Sequence, residues 1–266
     1  MEVIFLRVYL PFVFLLVFPL LGFSQIEGNA QASSQGPVRA TVGTFVFSRG
    51  ERIALELLRE EPCPCLCGPW EVRAFYVEDS SGGEVFRDDA PYPVPANRWL
   101  GTWDFRDEAG QALPPGAYTL IVETSFGRFQ VRVRLVEERH PHGYSLATAS
   151  VCGIEVLVYR LFTQEQNGAA VSLWKGERIM ILLPGNPTAG YQWDATEEPG
   201  ILERLREPEY RPEGKVPGAG GIFLFRYRAR ESGEGTLTLV YRRPWEGTPA
   251  ETFSLRVKVR GFTWDT

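Results

Sequence analysis

The chain has 266 residues, of which 44% are hydrophobic and 13% aromatic, enough apolar material for one large or two small packed domains. The formal net charge of −5 argues against a nucleic-acid-binding protein, because such proteins need a strongly basic face. The two histidines, His140 and His142, share one His-Pro-His triplet, which severely limits histidine-dependent catalysis and histidine-rich metal sites. The 27 glycines and 20 prolines are typical of an all-β protein with many turns.

Residues 1–32 are predicted to be a signal peptide and a short leader. Arg7 precedes an uncharged run, 8–23, that is rich in Val, Leu and Phe, as in the apolar part of a secretory signal. Cleavage could follow Ser24, or the small-x-small stretch that ends at Ala32. The run is short for a membrane-spanning helix and contains two prolines, but an uncleaved anchor stays an alternative. We therefore expect a secreted or periplasmic protein with no membrane attachment after cleavage.

Residues 36–137 are predicted to form an immunoglobulin-like β-sandwich. Short runs of alternating apolar residues are separated by turn signals at roughly ten-residue spacing, which is typical of such a sandwich. The clearest strand candidates are 44–47, 53–58, 72–77, 118–122 and 129–136. The segment 138–157, which begins with polar residues, is predicted to be a linker.

Residues 158–266 are predicted to form a second sandwich. The strand candidates of this half are 155–162, 170–174, 178–183, 222–228, 236–241 and 253–259. The segment 201–207 is helix-like, but it is too short and too closely bounded by proline to be a major element. The expected fold class is therefore all-β, with two immunoglobulin-like β-sandwich domains after an N-terminal signal peptide.

The four cysteines are Cys63, Cys65, Cys67 and Cys152. An even number of cysteines in an exported chain favours disulfides, although the sequence does not choose among the three pairings. A small metal site is the alternative, but the Cys-Pro-Cys-x-Cys spacing fits zinc poorly, because structural zinc sites use more widely spaced cysteine pairs. A cysteine nucleophile is less favoured still, because the His-Pro-His triplet lies in a polar linker. We therefore expect no bound metal.

No motif of a known catalytic site is present in the sequence. It lacks the G-x-S-x-G elbow, the H-E-x-x-H zinc motif and the Walker loop. The glycine cluster at 218–221 lacks the Gly-Lys-Ser/Thr of a phosphate loop, and it precedes a predicted strand rather than a helix. We therefore predict a protein that is not an enzyme and that needs no cofactor.

Three loops of the second domain carry the functional signal. Loop 1 is Asn186-Pro187-Thr188-Ala189-Gly190-Tyr191, loop 2 is Gly218-Ala219-Gly220-Gly221, and loop 3 is Arg243-Pro244-Trp245. Loops 1 and 2 alone are ordinary turns, whereas the large aromatic at the tip of loop 3 already suggests a contact surface, and all three loops lie at strand connections. Their order and spacing resemble the chagasin-type inhibitors of papain-like cysteine proteases, whose loops read N-P-T-T-G-F/Y, G-x-G-G and R-P-W/F. The resemblance covers residues 167–259, and Ala189 stands where that family has a second threonine.

The resemblance implies that the three loops lie side by side at one end of an immunoglobulin-like sandwich and bind the active-site cleft of a papain-like protease. The residue chemistry agrees with this implication, because Pro187 stiffens loop 1 and Gly190 can turn the chain back. The glycines of loop 2 allow the backbone to lie against the main chain of the enzyme. Trp245 offers a rigid apolar anchor, and Arg243 can stack or hydrogen-bond beside it.

Some of these residues have a purely structural alternative. Tyr191 and Trp193 alternate with a polar residue, so both could face the core. Asn186 either caps its own turn or contacts the enzyme. For Thr188 and Trp245 we predict contact with the enzyme, because a loop tip does not need such residues in order to fold.

We therefore expect a secreted, monomeric and reversible inhibitor of papain-like cysteine proteases that does not bind nucleic acid. The alternative is an extracellular or envelope immunoglobulin-like binding or adhesion module without inhibitory activity. In the first domain, residues 99–118 resemble the intracellular proteinase inhibitor family of bacteria and also the immunoglobulin-like part of flagellar hook-capping proteins, with turn residues dominating the match. That domain is thus either a spacer or adhesion sandwich, or a second protease-inhibiting head.

Overall fold

A computed structural model describes residues 38–59, 70–88, 92–93, 98–138, 149–151, 153–213 and 220–261. These residues form β-strands, with two short 3₁₀ turns between them, so the expected all-β class is confirmed. The strands are β1 (Val38–Ser48), β2 (Ile53–Arg59), β3 (Glu71–Asp79), β4 (Glu84–Asp88), β5 (Tyr92–Pro93), β6 (Arg98–Trp103), β7 (Gly116–Thr124), β8 (Gly127–Val136), β9 (Ala149–Val151), β10 (Ile154–Thr163), β11 (Ala170–Trp174), β12 (Arg178–Gly185), β13 (Gln192–Glu197), β14 (Leu202–Pro212), β15 (Gly221–Ala229), β16 (Gly233–Arg242) and β17 (Glu251–Arg260). Within this described part of the chain, no helix has the length and apolar character needed to span a membrane.

The strands belong to three sheets. The first sheet has the order β1-β8-β7-β3-β4, and β5 also pairs with β3. The second sheet has the order β14-β15-β12-β10-β2-β6, and β9 pairs with β10. The third sheet has the order β11-β17-β16-β13. Neighbouring strands are antiparallel except for the pairs β1/β8, β10/β12 and β11/β17, which are parallel.

Two apolar cores lie between these sheets, and the second sheet contributes to both. The first core joins the first sheet to β2, β6 and β10, and its members include Leu55, Phe75, Leu120, Val131 and Val156. The second core joins the third sheet to β12, β14 and β15, and its members include Ile181, Trp193, Phe225, Leu239 and Leu255. Each half of the chain is therefore a sandwich, and the second sheet supplies one layer to each sandwich.

Strand β10 connects the two sandwiches directly. Its residues 154–160 pair with β2 in the antiparallel direction, and residues 160–163 pair with β12 in the parallel direction. Ile154, Val156 and Val158 are buried in the first core. A strand that extends through both sandwiches leaves no free hinge at this point in the chain.

Residues 154–157, at the end of the predicted linker, belong to β10, as the overlapping strand candidate 155–162 predicted. The physical reason is that their apolar alternation is satisfied by β2, which lies about 100 residues earlier in the chain. Residues 139–148, with His140 and His142, lie outside the described residues. The same is true of residues 1–37 and of the four cysteines, Cys63, Cys65, Cys67 and Cys152. The signal peptide, the disulfides and the alternative metal site therefore stay predictions.

The helix-like interpretation of residues 201–207 is wrong. Nearly all of that segment belongs to β14, an edge strand of 11 residues that pairs with β15 from Leu202 opposite Ala229 to Pro212 opposite Gly221. Pairing along a whole strand satisfies backbone groups that a single helical turn would leave without partners. The local apolar pattern was compatible with either structure, and the neighbouring strand decided between them.

Candidate functional site

Loops 1 and 3, and the described end of loop 2, lie at one edge of the second sandwich because of sheet register. Gly185, the last residue of β12, pairs with Gly221, the first residue of β15, so loop 1 begins beside the end of loop 2. Gln192 at the start of β13 pairs with Arg242 at the end of β16, so loop 1 ends beside the beginning of loop 3. The register therefore brings together segments that are far apart in the sequence.

Asn186 shapes loop 1 from within. Its side-chain oxygen accepts hydrogen bonds from the backbone N–H of Thr188 at 3.1 Å and from the hydroxyl of Thr188 at 2.5 Å. The 3₁₀ turn Pro187–Ala189 follows and ends at Gly190, whose φ of +82° is in the left-handed region that favours glycine. Of the two roles considered for Asn186, the structure shows the cap, and it leaves Thr188 and Ala189 exposed at the tip.

Tyr191 and Trp193 lie in different environments. Trp193 is a core residue with 2% of its surface exposed, and its indole N–H donates to the carbonyl of Pro184 at 2.8 Å. Tyr191 is only half-buried, so the core role does not hold for it. Its ring stacks on Tyr241 with centroids 5.1 Å apart, and the guanidinium of Arg243 lies 4.4 Å from its centroid. Tyr191 thus forms a packing layer between loops 1 and 3.

Arg243 joins loop 3 to loop 1. Its Nε donates to the carbonyl of Ala189 at 3.1 Å, and its Nη1 pairs with the carboxylate of Glu246 at 2.8 Å. The hydrogen bond and the charge of Glu246 raise the pKa of Arg243 above its ordinary value. The guanidinium therefore stays charged and is used for contacts within the site.

Trp245 projects from loop 3. It is 73% exposed, and among the described residues it is the large hydrophobic side chain that stands out in solvent. One end of its ring lies on Gly190, because a Cβ at Gly190 would come within 2.9 Å of the indole. Glycine is thus required at position 190 both for its left-handed conformation and for this contact. An aromatic ring held in place but left in solvent is typical of a contact surface.

Tyr241 supports the loops from below, although it belongs to none of the three loop motifs. Its hydroxyl accepts a hydrogen bond from the backbone N–H of Asn186 at 2.6 Å. Its ring contacts both Tyr191 and Trp193, with centroids 5.1 and 5.2 Å apart. The alternation along β16, which places Leu239 in the core, was the signal that could have put Tyr241 on the inward face.

Loop 2 lies in the connection between β14 and β15. Residues 214–219 of this connection, which include Gly218 and Ala219, lie outside the described residues. Its base is closed by the N–H of Glu213, which donates to the carbonyl of Gly220 at 3.0 Å. A Cβ on Gly221 would lie 2.3 Å from the carbonyl oxygen of Arg211, so glycine is required there by the close approach of β14. Packing against β14 is therefore enough to explain the glycine at position 221, without a contact to an enzyme.

This edge belongs to a region with known relatives. Residues 172–257 match the family described as Chagasin family peptidase inhibitor I42. Amoebiasin-1 of Entamoeba histolytica is 35% identical over 102 residues, which are 37% of this chain and 97% of that protein. The chain belongs to the chagasin family. Chagasin of Trypanosoma cruzi is 34% identical over 103 residues, which are 36% of this chain and 94% of that protein. Members of the family inhibit peptidases, so this chagasin-family chain is not an enzyme.

Solved structures match the chain over a similar extent. The cysteine protease inhibitor EhICP2 of E. histolytica is 23% identical, covers 38% of this chain and 94% of its own, and has a TM-score of 0.35. The solution structure of amebosin is 35% identical, covers 38% of this chain and 96% of its own, and has a TM-score of 0.32. PbICP-C, solved in complex with falcipain-2, is 19% identical, covers 39% of this chain and 91% of its own, and has a TM-score of 0.26.

Proposed function

We propose that this protein is a secreted and reversible inhibitor of papain-like cysteine proteases, and that loops 1, 2 and 3 together occlude the active-site cleft. The observation that carries the proposal is the fixed pairing of loops 1 and 3, in which Arg243 binds the carbonyl of Ala189 and Trp245 lies on Gly190. Membership of the chagasin family supports a peptidase as the target. Secretion rests on the apolar run at residues 8–23.

Loop 1 is suited to lie over a catalytic cysteine without being cleaved. Its tip is a 3₁₀ turn closed by Asn186 and Gly190, so no extended peptide is offered as a substrate. The hydroxyl hydrogen of Thr188 is already donated to Asn186, so towards an enzyme the Thr188 oxygen acts as an acceptor. The active cysteine of this protease class pairs with a charged histidine, which is a hydrogen-bond donor. Thr188 therefore offers an acceptor where the enzyme offers a donor.

Loop 3 provides the apolar anchor. Trp245 is exposed, rigid and already in place, so little side-chain entropy is lost when it enters a pocket. For Arg243, which the sequence predicts to bind the protease, we propose an additional role within the site, because its guanidinium is turned towards Tyr191, Ala189 and Glu246. We assign to Arg243 the task of holding loops 1 and 3 at a constant separation.

The test is titration of the purified protein against papain with a fluorogenic peptide substrate, with trypsin as the control enzyme. We expect a nanomolar inhibition constant for papain, recovery of papain activity on dilution, and no effect on trypsin. Absence of papain inhibition at micromolar concentrations would contradict the proposal and favour a binding or adhesion module.

A pair of variants tests whether loop 1 lies in the cleft. Thr188→Glu adds a negative charge at the tip, where we expect an enzyme thiolate, and should weaken papain inhibition at least about tenfold. Thr102→Glu adds the same side chain at an exposed position of β6 and should leave inhibition unchanged. Equal inhibition by both variants would show that loop 1 does not approach the catalytic centre.

A further inference from the structure

Strand β14, which leads into loop 2, is an irregular edge strand. Its register with β15 shifts between Arg204 and Arg206 and again between Arg206 and Glu209. Pro208 lies within the second irregularity and has no N–H to donate to the ladder. The last residues of the strand, 209–212, therefore resume pairing after a disruption, and ladder hydrogen bonds alone hold them less firmly than in a regular strand.

Glu209, the first residue after that disruption, is bound by three arginines. Arg211 donates through Nε at 2.8 Å, Arg226 donates through Nη2 at 3.0 Å, and Arg98 pairs through Nη1. Burial favours the neutral carboxyl, but the hydrogen bond from Arg211 and the charges of all three arginines outweigh it and lower the pKa of Glu209. The carboxylate is therefore charged. Arg98 is the first residue of β6, so this anchor reaches β14 from the first sandwich.

Glu56 on β2 completes the connection between the sandwiches. It is fully buried and accepts hydrogen bonds from Nη2 of Arg226 at 2.7 Å, from Nε of Arg226 at 3.1 Å, and from the hydroxyl of Tyr159 at 3.0 Å. A buried carboxylate is stable only with such partners, and a bidentate arginine provides the most directional pairing available. The same Arg226 binds Glu209, so Glu56 of β2 is connected to β14 through Arg226 of β15, while Arg98 of β6 binds Glu209 directly.

We propose that Arg98 and Glu56 of the first sandwich act as positioning residues for the described base of loop 2, which is Glu213 with Gly220 and Gly221, by holding β14 through Glu209. This inference rests on the proposed function. Arg211 carries the constraint to the loop, because its side chain binds Glu209 and its carbonyl oxygen lies against Gly221.

The positioning is selective for loop 2 and comes from outside the family region. Loops 1 and 3 hold each other through Arg243 and Trp245, and these contacts do not involve β14. The family match covers residues 172–257, and both Glu56 and Arg98 lie before it. The first sandwich thus supplies loop 2 with a support from beyond the part of the chain that matches the family.

The variant Arg98→Met tests this role, because methionine keeps apolar volume and removes the charge that binds Glu209. The matched control is Arg160→Met. Arg160 is buried, whereas Arg98 is 23% exposed, and it also joins the two halves, through Glu51 at 2.6 Å and Glu177 at 3.0 Å. Its partner Glu177 precedes β12, so this cluster lies at the opposite end of that strand from loop 1.

The readout is the amide exchange rate of Glu213, whose N–H closes the base of loop 2, measured by NMR together with the thermal midpoint. We expect Arg98→Met to exchange this amide at least about tenfold faster, and Arg160→Met to leave it within about twofold even where the midpoint falls. Arg98→Lys, which keeps the charge but loses the fork, should give an intermediate rate. It also serves as the test if Arg98→Met does not fold.

An equal effect of Arg98→Met and Arg160→Met on the Glu213 amide would overturn the proposal, as would no effect of either. Papain inhibition is measured on the same samples, and we expect it to weaken selectively in Arg98→Met. If the unmodified protein does not inhibit papain, the proposed function fails, while the exchange rates still decide whether Arg98 positions loop 2.

Discussion

Trp245 and Trp193 should affect two different properties of the protein when each is replaced by alanine. Trp245 is 73% exposed. A tryptophan presents about 200 Å² of surface, so about 150 Å² of Trp245 is available to a partner. At ~25 cal/mol per Å², burial of this surface contributes at most about 4 kcal/mol to the binding free energy. The ordering of side chains and an imperfect fit reduce this contribution. We therefore expect Trp245→Ala to lose about 2 kcal/mol or more of binding free energy, which corresponds to a roughly thirtyfold higher inhibition constant for papain.

The stability of the two variants should follow the opposite order. Trp193 is 2% exposed and donates to the carbonyl of Pro184, so Trp193→Ala leaves a cavity and an unpaired acceptor. We expect it to lower the free energy of unfolding by about 3–5 kcal/mol. Trp245→Ala removes only the contact with Gly190 and should change the free energy of unfolding by about 0.5 kcal/mol or less.

The assay is urea unfolding and papain inhibition of both variants, with inhibition measured at a temperature where Trp193→Ala is still folded. Under that condition, Trp193→Ala should inhibit nearly as well as the unmodified protein. If Trp245→Ala unfolds early and inhibits normally, Trp245 is a packing residue. Loop 3 would then have no part in inhibition, and the reasoning from its exposure would be refuted.

Three further results are expected. Asn186→Ala removes the cap of loop 1, so the free energy of unfolding measured in urea should fall by about 1 kcal/mol. Papain inhibition should also weaken, because the tip is no longer closed, and unchanged inhibition would show that the cap is not needed. The lowered pKa of Glu209 stabilises the fold above pH 4.5, the ordinary glutamate value, and this stabilisation is lost as the pH falls towards the lowered pKa. Glu209→Gln should therefore show a smaller decrease in urea midpoint between neutral pH and pH about 4 than the unmodified protein, and an equal decrease would contradict the assignment. A fragment that lacks residues 1–150 leaves Arg226 without Glu56, so its unfolding free energy should be at least about 3 kcal/mol lower; a fragment as stable as the intact protein would show that the second sandwich is independent.

Apolar alternation was a sufficient signal for strands with one buried face. The predicted segment 253–259 lies within β17, where core residues such as Leu255 alternate with exposed charged ones. The predicted segment 222–228 lies within β15, although both faces of that strand are buried around Phe225. The same signal failed at 201–207, because the three-residue spacing of Leu202 and Leu205 also fits one face of a helix, whereas in β14 these side chains pack in different apolar clusters and the register shifts between Arg204 and Arg206. A period-2 pattern is lost wherever a bulge shifts the side chains from one face to the other.

The loop motifs predicted which residues lie at the edge but not what each does there. The spacing of the three loops was enough to place them at strand connections and to indicate the family. It did not show that Arg243 is turned inward to Ala189, or that Asn186 binds Thr188 and Tyr241. Those roles depend on the relative positions of loops that neighbouring strands bring together, which is a property of sheet register.

The local order of residues determined the all-β class, the position of the strands with regular alternation, and the three loops with their order. These features depend on side chains close together in the chain, whose periodicity and turn chemistry are readable directly. The tertiary structure alone decided that β10 is shared by two sandwiches and that Glu56 binds Arg226, 170 residues away. The sequence around a buried charged residue does not indicate its partner. The cost of desolvating the charge is offset by a residue on a distant strand, and only the folded sheet places that strand beside it.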